Sequence, residues 1–313
     1  MYYVEEMTQS AIADALGIGR ITVVRLLAEA RGMRDVRISL SREIAELAGL
    51  EIEAQKRIGV AEVVVAPLSD AGADARAVIA AAAGEFLSRL LRPDMKIGLG
   101  WGETLSRMLG FLDEKALPRL SVVSLLGGIM RARAANPAEC AWQFSRAYSA
   151  DCFMLAAPAI VDSRETKQAL IERCGLGEVF DLARTLDAVV VGVGGSQSFN
   201  AARSYGLISD NEVDSLKNSG AIGNLLYNFF DRSGCLVNHS INARVMSIPI
   251  ESLRKAPARI IAAGGPDKVE AIIAACRLLK PTALVTDEST AKAMIVHSDE
   301  SKTHGFTPPF GNP

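Results

Sequence analysis

The stretch Lys96–Leu109, KIGLGWGETLSRML, carries glycines at three alternate positions, Gly98, Gly100 and Gly102, followed by a hydroxyl at Thr104. An apolar run leads into it and a helical pattern leaves it. Glycines let a backbone approach a ligand closely, and the amides that open a helix favour an anion. Such a loop can cradle a phosphate. It can equally be a tight strand-to-helix turn. A dinucleotide fits poorly, because Glu103 stands where a G-x-G-x-x-G motif needs its last glycine, and no Walker lysine follows. That spacing argues against an NAD-dependent dehydrogenase.

Two further stretches carry polar groups among apolar neighbours. In LVTDESTAKAMI, Asp287 and Glu288 close an apolar run and Lys292 follows about one helical turn later. A carboxylate can accept from sugar hydroxyls and a lysine can meet a phosphate. The same acids also suit a helix start, where they complement the dipole. In GAIGNLLYNFFDRSGCLVN, the segment FFDRSG reads as a hairpin strand entering a turn. Asn224 sits between apolar residues, and a buried amide needs hydrogen-bond partners that a polyhydroxylated ligand can supply. No acid–base pair or nucleophile–base set stands out. His239 is isolated and reads as structural or surface.

The N-terminal stretch MTQSAIADALGIGRITVVRLLAEARG has a different logic. It predicts helices over residues 8–16 and 20–30 around a tight turn at Gly17, where a positive φ carries no Cβ penalty. Ile12, Ala13 and Leu16 form the inner face of the first helix. Ile18 plugs the turn. Val23, Leu26, Leu27 and Ala30 form the inner face of the second. This is a helix-turn-helix, whose second helix lies in the major groove. Arg20, Thr22 and Arg25 project outward, where arginine can pair with guanine and a threonine methyl can touch thymine. With Gln9 and Arg31 they make up the candidate DNA contacts. Five arginines from Arg20 to Arg37 face only two acids, Glu29 and Asp35. The segment VRISL, 36–40, has strand character suited to a wing. A plain packing hairpin with solvated arginines is the alternative. The start MYYVEEM leaves only a stub for a bracing helix before the motif.

These groups must be positioned by a large domain. The chain has 313 residues, enough for about two domains by the usual prior of roughly 100–200 residues each. Its net charge of −2 announces no global attraction to nucleic acid, so DNA contact must be local. Residues 41–60 read as a linker helix with Ser41 as N-cap and Ile44, Leu47 and Ile52 on one side. That stripe can pair subunits or lie on its own domain. From residue 61 onward apolar runs alternate with helical patterns. The strand candidates are AEVVVAP, MKIGLG, LSVVSLLGG, DCFMLAAP, LDAVVVGVGG, ARIIAAGG and TALVTDE; helices are expected over 74–91, 138–149, 164–174 and 266–279. Near-continuous apolar strands with helical crossovers imply a parallel sheet covered on both faces. Ligands bind such sheets at the carboxyl ends of the strands. The strand-end signals Gly98–Gly102, Gly127–Gly128, Gly192–Gly195, Gly264–Gly265 and Thr286–Glu288 are expected to converge on one crevice.

The predicted architecture is α/β: an N-terminal winged helix-turn-helix domain over 1–40, the linker helix over 41–60, a doubly wound, mostly parallel α/β domain with the ligand crevice over 61–296, and a disordered tail over 297–313. The five scattered cysteines lack a C-x-x-C pair and read as buried, reduced thiols, and the three histidines lack metal-ligand spacing. No signal peptide or membrane-spanning run is apparent, which places the protein in the cytoplasm. No metal or cofactor is expected.

The order of motifs resembles the SorC family of sugar-binding transcriptional regulators. The blocks TQSAIADALGIGRITVVRLLAEAR, IGLGWGETL, GAIGNLLYNFFDRSG, INARVMSIPIESLRKAPARIIAAGGPDKVEAIIAA and LVTDESTAKAMI occur in the family's order, from about Tyr2 to Ile295. The resemblance implies a winged-type helix-turn-helix joined to a domain similar to sugar-phosphate isomerases that does not turn over substrate. It also implies a homotetramer whose grip on double-stranded operator DNA is altered by a sugar, sugar phosphate or polyol. By resemblance, the Gly100–Thr104 loop is the phosphate-side cradle, Trp101 lies over the ligand, and Lys292 reaches it. Asn224 stands where the family has an acid contacting ligand hydroxyls, and Gly19 and Val24 stand where serines are common. The candidate effector site is therefore Gly100, Trp101, Gly102, Glu103, Thr104, Gly128, Asn224, Asp287 and Lys292. The alternative is an isomerase- or deaminase-like enzyme with an appended DNA-binding domain.

Overall fold

A computed structural model describes residues 1–2, 7–32, 44–68, 74–113, 115–130 and 136–303. The chain divides into two compact units, Met1–Ser41 and Arg42–Pro313.

The first unit holds helices α1 (Gln9–Leu16) and α2 (Arg20–Gly32). Thr8 caps α1, its hydroxyl accepting from the Ala11 amide at 3.2 Å. Gly17 ends it in the left-handed region at φ 66°, as the turn requires. Ile12, Ala13 and Val23 are buried, with Tyr2, Met7, Ile18 and Leu27 packed against them. Val23 and Leu27, four apart, share a face. The expected inner positions Leu16 and Leu26 are 51% and 46% exposed. Leu16 lies at the last helical position before the turn, and Leu26 is rotated off the Val23–Leu27 stripe by one residue. The predicted wing, 36–40, and the predicted cap Ser41 lie outside the described residues.

In the second unit the elements run α3 (Ile44–Ile58), β1 (Glu62–Ala66), α4 (Ala75–Leu90), β2 (Lys96–Leu99), α5 (Glu103–Met108), β3 (Ser121–Ser124), α6 (Pro137–Tyr148), β4 (Asp151–Phe153), α7 (Arg164–Arg173), α8 (Gly177–Leu182), β5 (Ala188–Val191), α9 (Gln197–Ser204), α10 (Asp210–Asn218), β6 (Gly223–Leu225), β7 (Asn228–Phe230), α11 (Ser240–Arg244), α12 (Ile250–Leu253), β8 (Ala258–Ala262), α13 (Val269–Leu279), β9 (Ala283–Asp287) and α14 (Glu288–Thr303). All seven expected strands form one parallel sheet, ordered β1-β9-β8-β5-β2-β3-β4. Alternate strand residues face opposite layers, as a period of two demands. Val63, Val65, Val123, Val189, Val191 and Ile261 enter one core. Val64, Ile97, Leu99, Val122, Val190 and Ile260 enter the other, against Ile79, Leu87, Leu105 and Phe144.

Helix α3 packs on β1 and α14, with Leu47 and Ala54 in the core. The expected linker is thus a layer of the large domain, and Ile52, 51% exposed, lies off its packed stripe. The unordered tail expected from residue 297 is corrected in part: α14 continues through Thr303; residues 304–313 lie outside the described set. The cysteines are all free; Cys140 and Cys276 are buried, whereas Cys174 and Cys235 are exposed, contrary to expectation. Among the described residues, no helix is long and apolar enough to cross a membrane.

The antiparallel hairpin β6–β7 stands apart from the sheet. Its Phe229 is fully buried, edge-on to Phe199 of α9 with ring centres 5.2 Å apart. Phe229→Ala is expected to cost about 3–5 kcal/mol of stability, read by urea denaturation. A loss below about 1 kcal/mol would show that the hairpin is not anchored by this ring.

Candidate functional site

The strand order reverses between β2 and β5. After β2 the chain adds β3 and β4 on one side; it then returns to place β5, β8 and β9 on the other. Loops leaving two such strands diverge and leave a crevice at their carboxyl ends. A cavity of about 750 Å³ opens there. Its walls come from the loops after β2 (Trp101, Gly102, Glu103, Thr104), β5 (Gly192, Val193, Gly194) and β8 (Ala263, Gly264, Gly265), the start of α4, helix α9 and the hairpin turn. Three of the five expected strand-end signals therefore meet. Gly127–Gly128 and Thr286–Glu288 do not line it; the Asp287 carboxylate lies directly behind Gly264, where a Cβ would clash with its Oδ2.

The loop after β2 is built for close approach. The Gly100 amide donates to the Val190 carbonyl at 2.7 Å, and a Cβ there would meet that oxygen at 3.1 Å. Gly100 thus packs the sheet edge and does not line the crevice. Gly102, at φ 128°, turns the chain into α5 and does line it. Thr104 is buried against the cavity, and its hydroxyl has no partner among the described residues.

Trp101 forms an aromatic corner. Its ring centre lies 5.6 Å from Tyr227, tilted, and 6.2 Å from Tyr205, edge-on. Tyr227 is held there against backbone strain. Leu226 and Tyr227 occupy the two-residue hairpin loop at φ 52° and 59°, a left-handed pair that normally calls for Gly or Asn. Asn224 supports the turn: its Oδ1 accepts from the Tyr227 amide at 3.2 Å, and its Nδ2 donates to Ser198 Oγ at 2.7 Å. The protein itself thus supplies partners that the sequence reading assigned to a ligand, although Asn224 still lines the cavity. Gly194 makes this contact possible, since a Cβ there would sit 2.6 Å from Asn224 Nδ2. Gly194 and Asn224 also exchange backbone hydrogen bonds at 3.0 and 2.8 Å, clamping the hairpin to the end of β5.

The charged groups are unevenly paired. Lys268, which sequence reading missed, lines the crevice, and its ammonium has no hydrogen-bond or ion-pair partner among the described residues. Burial holds its pKa below the usual lysine value. The signal available was its place just after the Gly264–Gly265 strand end, on the turn that starts α13. At the rim, Asp74, Arg76, Glu103 and Arg107 close a ring. Asp74 takes Arg76 Nε at 2.8 Å and Arg107 at 2.7 Å, and Glu103 takes Arg107 at 2.6 Å and also binds Arg76. The Arg76 guanidinium holds Asp74 below the usual carboxylate range.

Three expected site residues lie elsewhere. Asp287 is fully buried and accepts from Ser289 Oγ at 2.5 Å, the Thr290 amide at 2.9 Å and Thr290 Oγ1 at 2.5 Å. Its carboxylate organises the first turn of α14. Lys292 pairs with Glu288 at 2.6 Å and lines an adjoining cavity with Val269, Val296 and His297, which shares Pro266 and Asp267 with the crevice. Gly128 exchanges hydrogen bonds with the Ala157 carbonyl and Ala159 amide at 2.7 and 2.8 Å, beyond β3. His239 caps α11 and meets Ser215 Oγ at 3.1 Å.

In the first unit, Arg20 and Arg25 are exposed, and Gln9 and Thr22 are half-buried. Arg25 faces Glu29 one turn on, at 3.7 Å, a surface pair worth little. The Arg31 side chain lies outside the described residues.

Comparison with known proteins places this architecture. Residues 42–296 match the Sugar-bind family, described as "Putative sugar-binding domain". The erythritol catabolism regulatory protein EryD of Brucella abortus (strain 2308) is 30% identical over 298 residues, 94% of each chain. The transcriptional regulator LsrR of Escherichia coli (strain K12) is 32% identical over 302 residues, 94% of this chain and 92% of its own. The crystal structure of the full-length sorbitol operon regulator SorC from Klebsiella pneumoniae superposes with a TM-score of 0.75 at 25% identity, covering 94% of this chain and 95% of that one. A two-helix N-terminal unit, a parallel sheet with a crevice at its reversal point, and similarity along nearly the whole length together establish that the chain belongs to the SorC family of sugar-binding transcriptional regulators.

Proposed function

We propose that the protein is a DNA-binding regulator of carbohydrate or polyol metabolism whose operator affinity is set by a small hydroxylated effector in the crevice. The observation that carries this reading is the cavity at the β2–β5 reversal. It joins an aromatic corner, which suits the C–H face of a sugar or polyol, to polar groups at Thr104 and Lys268 that have no hydrogen-bond or ion-pair partner among the described residues. EryD and SorC are named for the catabolism of erythritol and for the sorbitol operon; by that likeness the effector here is a polyol, a sugar or a phosphorylated form of one. The DNA-binding unit lies over 1–40, its helix-turn-helix formed by α1 and α2, with α2 in the major groove and Gln9, Arg20, Thr22, Arg25 and Arg31 as contacts. The protein works in the cytoplasm as a dimer or tetramer, each pair of reading heads spanning half-sites about 34–36 Å apart or a multiple of this.

The mechanism is linkage. An effector that binds the DNA-competent and DNA-incompetent arrangements unequally changes operator affinity, and operator changes effector affinity by the same factor. The reading is tested by fluorescence anisotropy on DNA upstream of the protein's own gene, titrated with polyols, sugars and sugar phosphates. Specific binding altered by one compound supports it. Absence of specific binding, with turnover of a panel member, favours an isomerase-like enzyme.

Two substitutions sharpen the assignment. Arg25→Ala is expected to weaken operator binding by about 1–3 kcal/mol if Arg25 reads a base; unchanged affinity removes it from the interface. Lys268→Ala is expected to leave operator binding intact while raising the concentration of a phosphorylated effector needed for half-response by about tenfold or more. Lys292→Ala is expected to leave that concentration unchanged. The reverse pattern would move the anion site to the α14 cavity.

A further inference from the structure

The ring at the crevice rim has a geometry that ion pairing alone does not require. Glu103 bridges two guanidinium groups with its two oxygens, Oε1 to Arg107 and Oε2 to Arg76. Asp74 meets the same two arginines from another side, through Arg76 Nε and one Arg107 nitrogen. Asp74 is also the N-cap of α4, accepting from the Arg76 amide at 3.1 Å, so its position is fixed by the helix. The two arginines are therefore held as a pre-oriented fork, and two oxygens of one anion fill it. A phosphate presents oxygens in the same bidentate manner. The anion that fills the fork here is the protein's own, carried on the loop that lines the crevice.

We propose that Glu103 is a resident occupant of an arginine clamp and thereby determines which end of a ligand the β2–α5 loop accepts. This rests on the reading of the crevice as the effector site. With Glu103 in place the ring carries two positive and two negative charges, and both of its guanidinium groups are occupied; Lys268 lies within electrostatic reach of Glu103 and Arg76 but outside the ring. It receives a neutral, hydroxylated end of the ligand against Trp101 and Thr104. The negative charge of a phosphorylated ligand is directed to Lys268, whose ammonium is unpaired among the described residues. The loop that the family resemblance marks as a phosphate cradle is thus closed to phosphate by its own side chain. The ring side chains are about 40% exposed, and such pairs are weak individually, so a substitution there exchanges the occupant without dismantling the fold.

The test uses inorganic phosphate as probe and Trp101 fluorescence as readout. The chain has two tryptophans, and Trp142→Phe leaves Trp101 as the sole reporter. In that background, Glu103→Gln is expected to bind phosphate about tenfold more tightly than the parent, because one negative charge leaves the fork. The gain is expected to vanish in the Arg76→Lys, Glu103→Gln double variant, which keeps the charge and removes the planar fork. Equal phosphate affinity in parent and Glu103→Gln overturns the proposal. So does a gain that survives in the Arg76→Lys background, since it is then a general field effect. Operator binding by each variant verifies that the fold is intact. If no polyol or sugar alters operator binding, the effector reading fails by itself, while the phosphate comparison still reports on the clamp.

Discussion

Strands β2 and β5 lie side by side in the sheet although β3 and β4 separate them in the chain. A parallel sheet buried on both faces leaves only its strand ends for binding. At every other pair of neighbours a crossover covers part of that end. Where the winding reverses, the loops after β2 and β5 part in opposite directions, and the gap between them cannot be closed without breaking the connectivity. The loop after β8, the next strand over, completes the floor. The crevice is thus a consequence of strand order, and the loops after β2, β5 and β8 line it because of this reversal.

The hairpin is the second element that the site depends on. It contributes nothing to the main sheet, yet it closes one wall of the crevice. Two non-glycine residues in left-handed conformation are costly, and the surroundings over-determine them: Asn224 grips the turn, Gly194 makes room for Asn224, Phe229 anchors behind it, and Asn228 donates to Ser247 Oγ at 2.8 Å. The result is a fixed Tyr227 against Trp101. Rigid aromatic walls with a few unpaired polar groups suit a ligand recognised by shape and hydroxyl pattern. Asn224 takes part by shaping the wall, and its amide serves the fold first.

A regulator of this kind needs two sites and a difference in their mutual affinity. The described α1–α2 pair has its own small core of Ile12, Ala13 and Val23, separate from the two cores that flank the sheet. Among the described residues, its outward arginines Arg20 and Arg25 are exposed, and Arg25 faces Glu29 at 3.7 Å. Helix α3, which follows, is packed into the large domain through Leu47 and Ala54.

Much was legible in the linear order of residues. All seven sheet strands were visible because strands buried on both faces are almost uninterrupted apolar runs, and helices such as α4 and α6 announced themselves by helical pattern; their caps at Asp74 and Asn136 were seen only in the structure. The turn at Gly17 and its plug Ile18 were fixed by local sterics. The family was legible because five blocks recur in order. Strand adjacency was not: it depends on crossovers between residues far apart, and neither Gly128 nor Asp287 lines the crevice. Lys268 and Lys292 show the same limit, since each follows a strand end by a few residues and only the packing of α13 and α14 decides which ammonium faces the cavity. Likewise Leu16, Leu26 and Ile52 satisfy a helical period, but burial is settled by what lies opposite. Residue types and local spacing determined the elements and the chemistry available; the tertiary structure decided which groups meet, because proximity across a doubly wound sheet is a property of strand order and not of distance along the chain.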